Sequence, residues 1–267
     1  MRSQNIKYTI RAADSIPETV KNVKRGYPRR GGREAFMPTI RLEDVAKLYK
    51  TKERRISAIQ DVNLKIEQGE FVFFIGSRGA GKSTILDIIS GDVSPDKGAV
   101  FLDDVNISRV SKRRRREYMG KVPQESGLVR TETIWQNLSS SKGKELFRDK
   151  QLTQTLISKA LGLVGMAGCE NRYPVEFSMS ECRKIELAKA ILRSPPVLLL
   201  DEITDWMDDD TAWDMMHLLL ELNRRGTTIL MATTAVQIVN IMRKRVVTLV
   251  DGKIRGDVQK GRYGYIG

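Results

Sequence analysis

Apolar and polar residues alternate in two early stretches, TIRLEDVAKLY from Thr39 and AIQDVNLKIEQGE from Ala58. A period of two sends one face of a strand into the core and the other into water, so both are expected as half-exposed antiparallel strands. FVFFI, starting at Phe71, is apolar throughout and reads as a strand buried on both faces. STILDIISG follows with helical spacing and a glycine stop at Gly91, after which GAVFLDDVNI returns to strand. Between residues 128 and 170, TIWQNL and LTQTLISKALGLVGM form amphipathic helical stretches separated by the polar SSSKGKE, a helical insertion. The remainder alternates helix and strand: IELAKAIL, VLLLDE, DTAWDMMHLLLELNRRG, TTILMATT, AVQIVNIMRKR and VVTLVDGKI. Such alternation predicts an α/β fold around a mostly parallel sheet with right-handed crossovers.

The junction between the buried strand and the first helix carries chemistry. Gly76-Ser77-Arg78-Gly79-Ala80-Gly81-Lys82-Ser83-Thr84 matches G-x-x-x-x-G-K-[ST] in the strand–loop–helix context the motif requires. Its glycines let backbone wrap a polyphosphate, and the helix start adds unpaired N–H donors and a favourable dipole. Lys82 is expected to reach the β- and γ-phosphates and Ser83 the Mg²⁺ of bound ATP. VLLLDE supplies the second half: Asp201 to hold Mg²⁺ through water and Glu202 to polarise an attacking water.

Charge changes the picture at two places. The chain is formally +13, and residues 1–36 hold nine Lys/Arg against three acids with little periodicity, which reads as a flexible basic extension to an ATP-binding domain over 37–267. Met37 is a second candidate start. Lys112–Arg116 reads most simply as one exposed helical face. Basic segments of this kind suit water or an anionic membrane surface, whereas nucleic-acid recognition lacks its aromatic interleaving and a reading motif. No apolar run reaches 18 residues, and Cys169 and Cys182, at no metal-ligand spacing, fit a reducing compartment.

On these motifs and their order, the chain resembles the ATP-binding-cassette (ABC) ATPase subunits over about residues 38–262. Through RRGTTILMATT, IVNIMRKRVVTLVDGKI and RGDVQKGRYGY it is similar to the FtsE group of cell-division ATP-binding proteins, although lipoprotein-releasing and macrolide-exporting ATPases share much of the pattern. The resemblance implies a RecA-like P-loop core, an antiparallel β subdomain and a helical subdomain at about 125–185. It implies ATP and Mg²⁺ as cofactors, a homodimer or heterodimer of ATP-binding domains, an FtsX-like transmembrane partner, and a place on the cytoplasmic side of the membrane. It also assigns Tyr49 to stacking on adenine, Gln124 in KVPQESGLV to Mg²⁺ and to signalling toward the helical subdomain, and Asp208 to the loop joining two protomers.

The same resemblance exposes departures. FSMSECRK, from Phe177, occupies the place of the LSGGQ-type signature, which contacts the γ-phosphate held by the opposite protomer. Ser178 remains, but Met179 and Ser180 replace both glycines, putting β-carbons where backbone approaches phosphate. Thr234 and Ala235 stand where the family has a switch histidine and an acid. Ile203 replaces a proline after Glu202, and Trp206 alters the protomer-joining loop. His217, mid-helix, is a packing or surface residue rather than a displaced switch. ATP binding is the firm expectation; hydrolysis by a homodimer, by a heterodimer with an intact partner signature, or not at all stays open.

Overall fold

The computed structural model describes residues 38–50, 55–111, 115, 118–139 and 149–264. The N-terminal extension, the rest of the Lys112–Arg116 run and most of SSSKGKE lie outside the described residues. Two alternating stretches become β1 (Ile40–Lys50) and β2 (Arg55–Ile66), paired antiparallel from Ile40 opposite Ile66 to Lys50 opposite Arg55. With β4 (Lys97–Leu102) and β5 (Val105–Asn106) they build a four-stranded antiparallel sheet in the order β2-β1-β4-β5. The alternation has its expected cause: Ile40, Leu42 and Val45 are buried on one face while Glu43 is in water between them only in part.

The second sheet has six strands, ordered β10-β9-β3-β8-β7-β6. Its members are β3 (Phe71–Ile75), β6 (Met119–Val122), β7 (Val197–Asp201), β8 (Thr228–Ala232), β9 (Arg245–Val250) and β10 (Lys253–Val258). All neighbours run parallel except the β9–β10 hairpin. The continuous apolar runs predicted burial on both faces, and two hydrophobic clusters explain it. Phe71, Phe73 and Ile75 face one, with Leu198, Leu200, Ile229 and Met231; Val72 and Phe74 face the other, with Leu199, Leu230 and Leu249. Each fully buried side chain of this size contributes about 1.5–3 kcal/mol through removal from water.

Helix α1 (Lys82–Ser90) lies in the second cluster, joining the two sheets through Ile85, Leu86, Ile88 and Ile89. The first cluster collects α2 (Ile134–Ser139), α3 (Lys150–Leu163), α4 (Met179–Ile191), α5 (Asp209–Arg224) and α6 (Val236–Met242). The two stretches at 128–170 fold as α2 and α3, which share the first cluster with Cys182 and Ile185 of α4. Cys169 and Cys182 are buried free thiols.

Two expectations fail in informative ways. Arg115 is helical but only 5% exposed, so the basic run does not present it on a solvent face. Its Nε donates to the Val110 carbonyl at 3.0 Å, and the guanidinium covers Gly91, where a β-carbon would meet it at 2.1 Å. Equally, the helix read at IELAKAIL starts earlier than that stretch: α4 begins at Met179, inside FSMSECRK. Ser178 is its N-cap, its hydroxyl accepting from the Glu181 amide while the Glu181 carboxylate accepts from Ser178 N–H, the reciprocal pattern of S-x-x-E.

Candidate functional site

The chain turns from β3 into α1 through Gly76–Gly81 because glycine is required at both ends of the loop. Gly76 has φ 144°, and a β-carbon there would lie 2.2 Å from the Leu249 carbonyl oxygen. Gly81 has φ 105°, and a β-carbon would lie 2.5 Å from that of Ala58. Neither L-conformation nor space admits a side chain. No side chain caps α1 after Gly81, so its first-turn amides are available to a ligand. Between the glycines, the Ala80 amide donates to Ser77 O at 3.1 Å, and the Ala80 carbonyl accepts from Gly252 N–H at 3.1 Å, tying the loop to the β9–β10 hairpin.

Lys82 is 7% exposed and folds back over the loop, donating to the carbonyls of Gly76 at 2.9 Å and Ser77 at 3.2 Å. Its ammonium is 3.9 Å from Glu202 Oε1. A cleft over this loop is lined by Arg78, Gly79, Gly81, Lys82, Ser83, Thr84, Gln124, Glu202, Asp205 and Thr234, with Ala58 at its edge. Five separated chain segments therefore meet at one place: β2 at Ala58, the phosphate loop, the loop after β6, the end of β7, and the turn after β8.

The acids at the end of β7 divide their roles through geometry. Ser83 favours the charged form of Asp201, whose Oδ1 is buried with no protein partner. Glu202 adopts a left-handed backbone, φ 48°, and its amide donates to Ala232 O at 2.9 Å. Such a conformation in a non-glycine residue costs about 1–2 kcal/mol and re-aims the side chain out of the strand alternation. Glu202 Oε2 accepts from the Thr234 amide at 2.8 Å and from its hydroxyl at 3.4 Å. Burial pushes both carboxyls above their ordinary range, opposed at Asp201 by Ser83 and at Glu202 by the Thr234 amide.

A Mg²⁺ ion fits this end of the cleft: an orphaned, buried Asp201 oxygen sits beside a Ser83 hydroxyl. Among the described residues no cluster of three or more His, Cys, Asp or Glu could hold a metal; Mg²⁺ in such sites ordinarily keeps several waters and shares its ligands with phosphate. When bound, such an ion would neutralise charge on the phosphates. Asp201 and Ser83 would hold it, with Gln124 within the same cleft.

Three further expected positions, Tyr49, Asp208 and Ser178, are not among the residues lining the cleft. Tyr49 lies at the exposed end of β1, its ring 5.7 Å from the Lys47 ammonium, and is not among the lining residues. Asp208 is the N-cap of α5, accepting from the Thr211 amide at 2.8 Å and hydroxyl at 2.9 Å. Ser178 is engaged too: besides the cap, its hydroxyl donates to Glu181 Oε2 at 2.8 Å and lies 3.2 Å from Ser180 Oγ. Met179 is 47% and Trp206 74% exposed. His217 is exposed on α5, its ring 6.5 Å from that of Trp213, as expected of a surface residue.

Asp205 was not anticipated. It lines the cleft beside Lys82 and Arg78, and DEITD offered only a second acid in a turn as a signal.

With this geometry in place, the family model described as "ABC transporter" matches residues 59–205. The chain belongs to the ABC transporter family. It is 34% identical over 232 residues to the cell division ATP-binding protein FtsE of Streptococcus pneumoniae serotype 2 (strain D39), covering 86% of this chain and 99% of that one. With FtsE of Mycobacterium tuberculosis (strain H37Rv) it shares 36% identity over 228 residues, 84% of this chain and 98% of that one. The solved dimeric ATP-binding cassette MJ0796, in a post-hydrolysis state bound to ADP and Pi, superposes with a TM-score of 0.76 at 27% identity, covering 84% of this chain and all of the other. The fold is thus that of an ABC nucleotide-binding cassette, a P-loop core carrying an antiparallel sheet and a helical group, and the similarity to FtsE read from the sequence holds. No helix among the described residues is long and apolar enough to cross a membrane.

Proposed function

We propose that this ABC cassette binds Mg²⁺ and ATP in the cleft over Gly76–Thr84 and serves as the ATP-binding subunit of an FtsE-like membrane complex in cell division. The observation that carries the reading is the convergence of Lys82, Ser83, Gln124, Glu202 and Thr234 on one cleft, with an unpartnered Asp201 oxygen beside it. Lys82 and the open amides of α1 bind and orient the polyphosphate. Glu202 is held at the cleft by Thr234, which does for its orientation what a larger side chain at that position would do, through a main-chain donor. From there it can accept a proton from an attacking water. A second cassette would complete the site across a dimer, and an FtsX-like transmembrane subunit would receive the motion, placing the chain at the cytoplasmic face of the membrane. The N-terminal extension and a domain boundary near residue 37 are part of the same proposal.

A second reading is favoured by one observation. Ser178 is committed to its own capping box and Met179 projects where a glycine is expected, so the surface offered to a second protomer's phosphate is altered. On that reading the chain is an ATP-gated adaptor without turnover. Phosphate release by the chain, compared with Glu202→Gln, decides between them. A rate at least about a hundredfold above the variant, the lower end of the loss expected on removing a general base, supports the ATPase; equal rates leave the adaptor.

A further inference from the structure

We propose that Arg183, on the second turn of α4, is a positioning residue for the phosphate cleft, gripping the loop that carries Gln124. Arg183 is 2% and Glu186 4% exposed. Arg183 Nη1 donates to the Pro123 carbonyl at 2.6 Å and pairs with Glu186 Oε2 at 2.9 Å, while Nη2 donates to the Gln124 carbonyl. Glu186 completes the grip, its Oε1 accepting from the Gly127 amide at 2.7 Å. One ion pair therefore holds both ends of the segment 123–127 by main-chain groups, whatever the side chains there do. Arg183 is also the first among the cations, ahead of Arg78 and Lys82, whose charges favour the ionised Asp205. The cleft-lining Gln124 thus has its backbone held by a helix that does not itself line the cleft.

The residue type matters. A guanidinium is a planar fork that serves two adjacent carbonyls and a carboxylate at once; an ammonium is a point charge without that geometry. A buried ion pair adds little net stability over apolar replacements, so its value here lies in the geometry it imposes on the loop. Removing one partner alone would strand the other charge, and the informative variant is accordingly Arg183→Met with Glu186→Gln, neutral as a pair.

The inference rests on the nucleotide reading for its consequence but not for its structural half, and the experiment separates the two. Hydrogen exchange of the ligand-free protein is measured first on the amides of residues 124–127. The neutral pair variant is expected to exchange faster there, with the sheet strands unchanged; unchanged exchange in 124–127 overturns the grip. Titration with Mg·ATP then compares wild type, the pair variant, Gln124→Ala and all three changes together. The pair variant and Gln124→Ala should each weaken binding about tenfold, the size of one lost charge-assisted contact, and the triple variant should be no weaker than either. Losses that multiply to about a hundredfold would mean independent sites and overturn positioning through Gln124. Arg183→Lys keeps the charge without the fork and should recover less than half of the loss; full recovery overturns the role of the fork. Wild type failing to bind Mg·ATP would overturn the nucleotide reading and the positioning role with it, whereas the exchange result would still stand on its own.

Discussion

Asp201 is an acid placed against its own stability. Burial raises its pKa, so the folded chain holds that proton more tightly than the unfolded chain does. A group of this sign destabilises the fold above its raised pKa, and the penalty fades as pH falls through that value. Asp201→Asn should therefore raise the Tm of the ligand-free protein by roughly 2–4 °C, about 1 kcal/mol for a domain of this size, while abolishing the gain in ATP affinity on adding Mg²⁺. Calorimetry and titration with and without the ion check both halves. A lower Tm would mean that the orphan oxygen is not a site waiting for a cation. The same sign governs Glu202, likewise raised by burial. Mg²⁺-dependent ATP binding and any phosphate release should fall with decreasing pH at values above the ordinary carboxylate range, measured as affinity and rate against pH. Phosphate-loop residues were legible because their spacing is itself the chemistry: Gly76, Gly81, Lys82 and Ser83 act within nine positions. Arg183, Glu186 and Asp205 were not, because their partners at Pro123, Gly127 and Lys82 are brought close only by the fold.

At the scale of elements, the helix that begins in FSMSECRK is the part whose character the hydrophobic pattern hid. Its first turn is polar, so periodicity placed the helix start near Ile185, yet Ser178 and Glu181 already formed a legible S-x-x-E cap. Ser178→Ala should cost about 1 kcal/mol, a typical N-cap loss, read as a lower midpoint in urea with an unchanged slope. No loss would show that α4 is held by packing alone. Changing Met179 and Ser180 to glycine tests the other side of the same turn. Dimerisation with ATP should strengthen in a Glu202→Gln background, measured by sedimentation, at the expense of roughly 0.5–1 kcal/mol per glycine placed in a helix. Unchanged dimerisation would remove this turn from the nucleotide-dependent contact. Strands were the most legible elements, since period two and unbroken apolar runs such as FVFFI state directly which faces are buried. Arg115 marks the limit of that logic: a run of like charges predicts a wet face, but its stem and guanidinium pack beneath Gly91, a contact set by the end of a different helix.

For the molecule as a whole, the two hydrophobic clusters on opposite faces of the six-stranded sheet make the cleft a product of the entire fold rather than of one motif. α1 anchors the phosphate loop in one cluster, and the helical group that holds Gln124's loop packs in the other. The basic extension stands apart in sequence, and deleting residues 1–36 should leave ATP affinity unchanged while weakening attachment to anionic vesicles at low salt, where screening is least; attachment indifferent to salt would exclude a charge-driven role. The most direct test of the central claim is calorimetric titration of Mg·ATP into the wild-type chain and Lys82→Ala. Lys82 is the buried cation facing the loop's own carbonyls and Glu202, and a polyphosphate entering the cleft must replace those partners. The expected result is saturable binding to wild type and a loss of at least about a hundredfold in Lys82→Ala, the scale of one buried charge-assisted contact to phosphate; equal affinity of the two proteins would contradict the site.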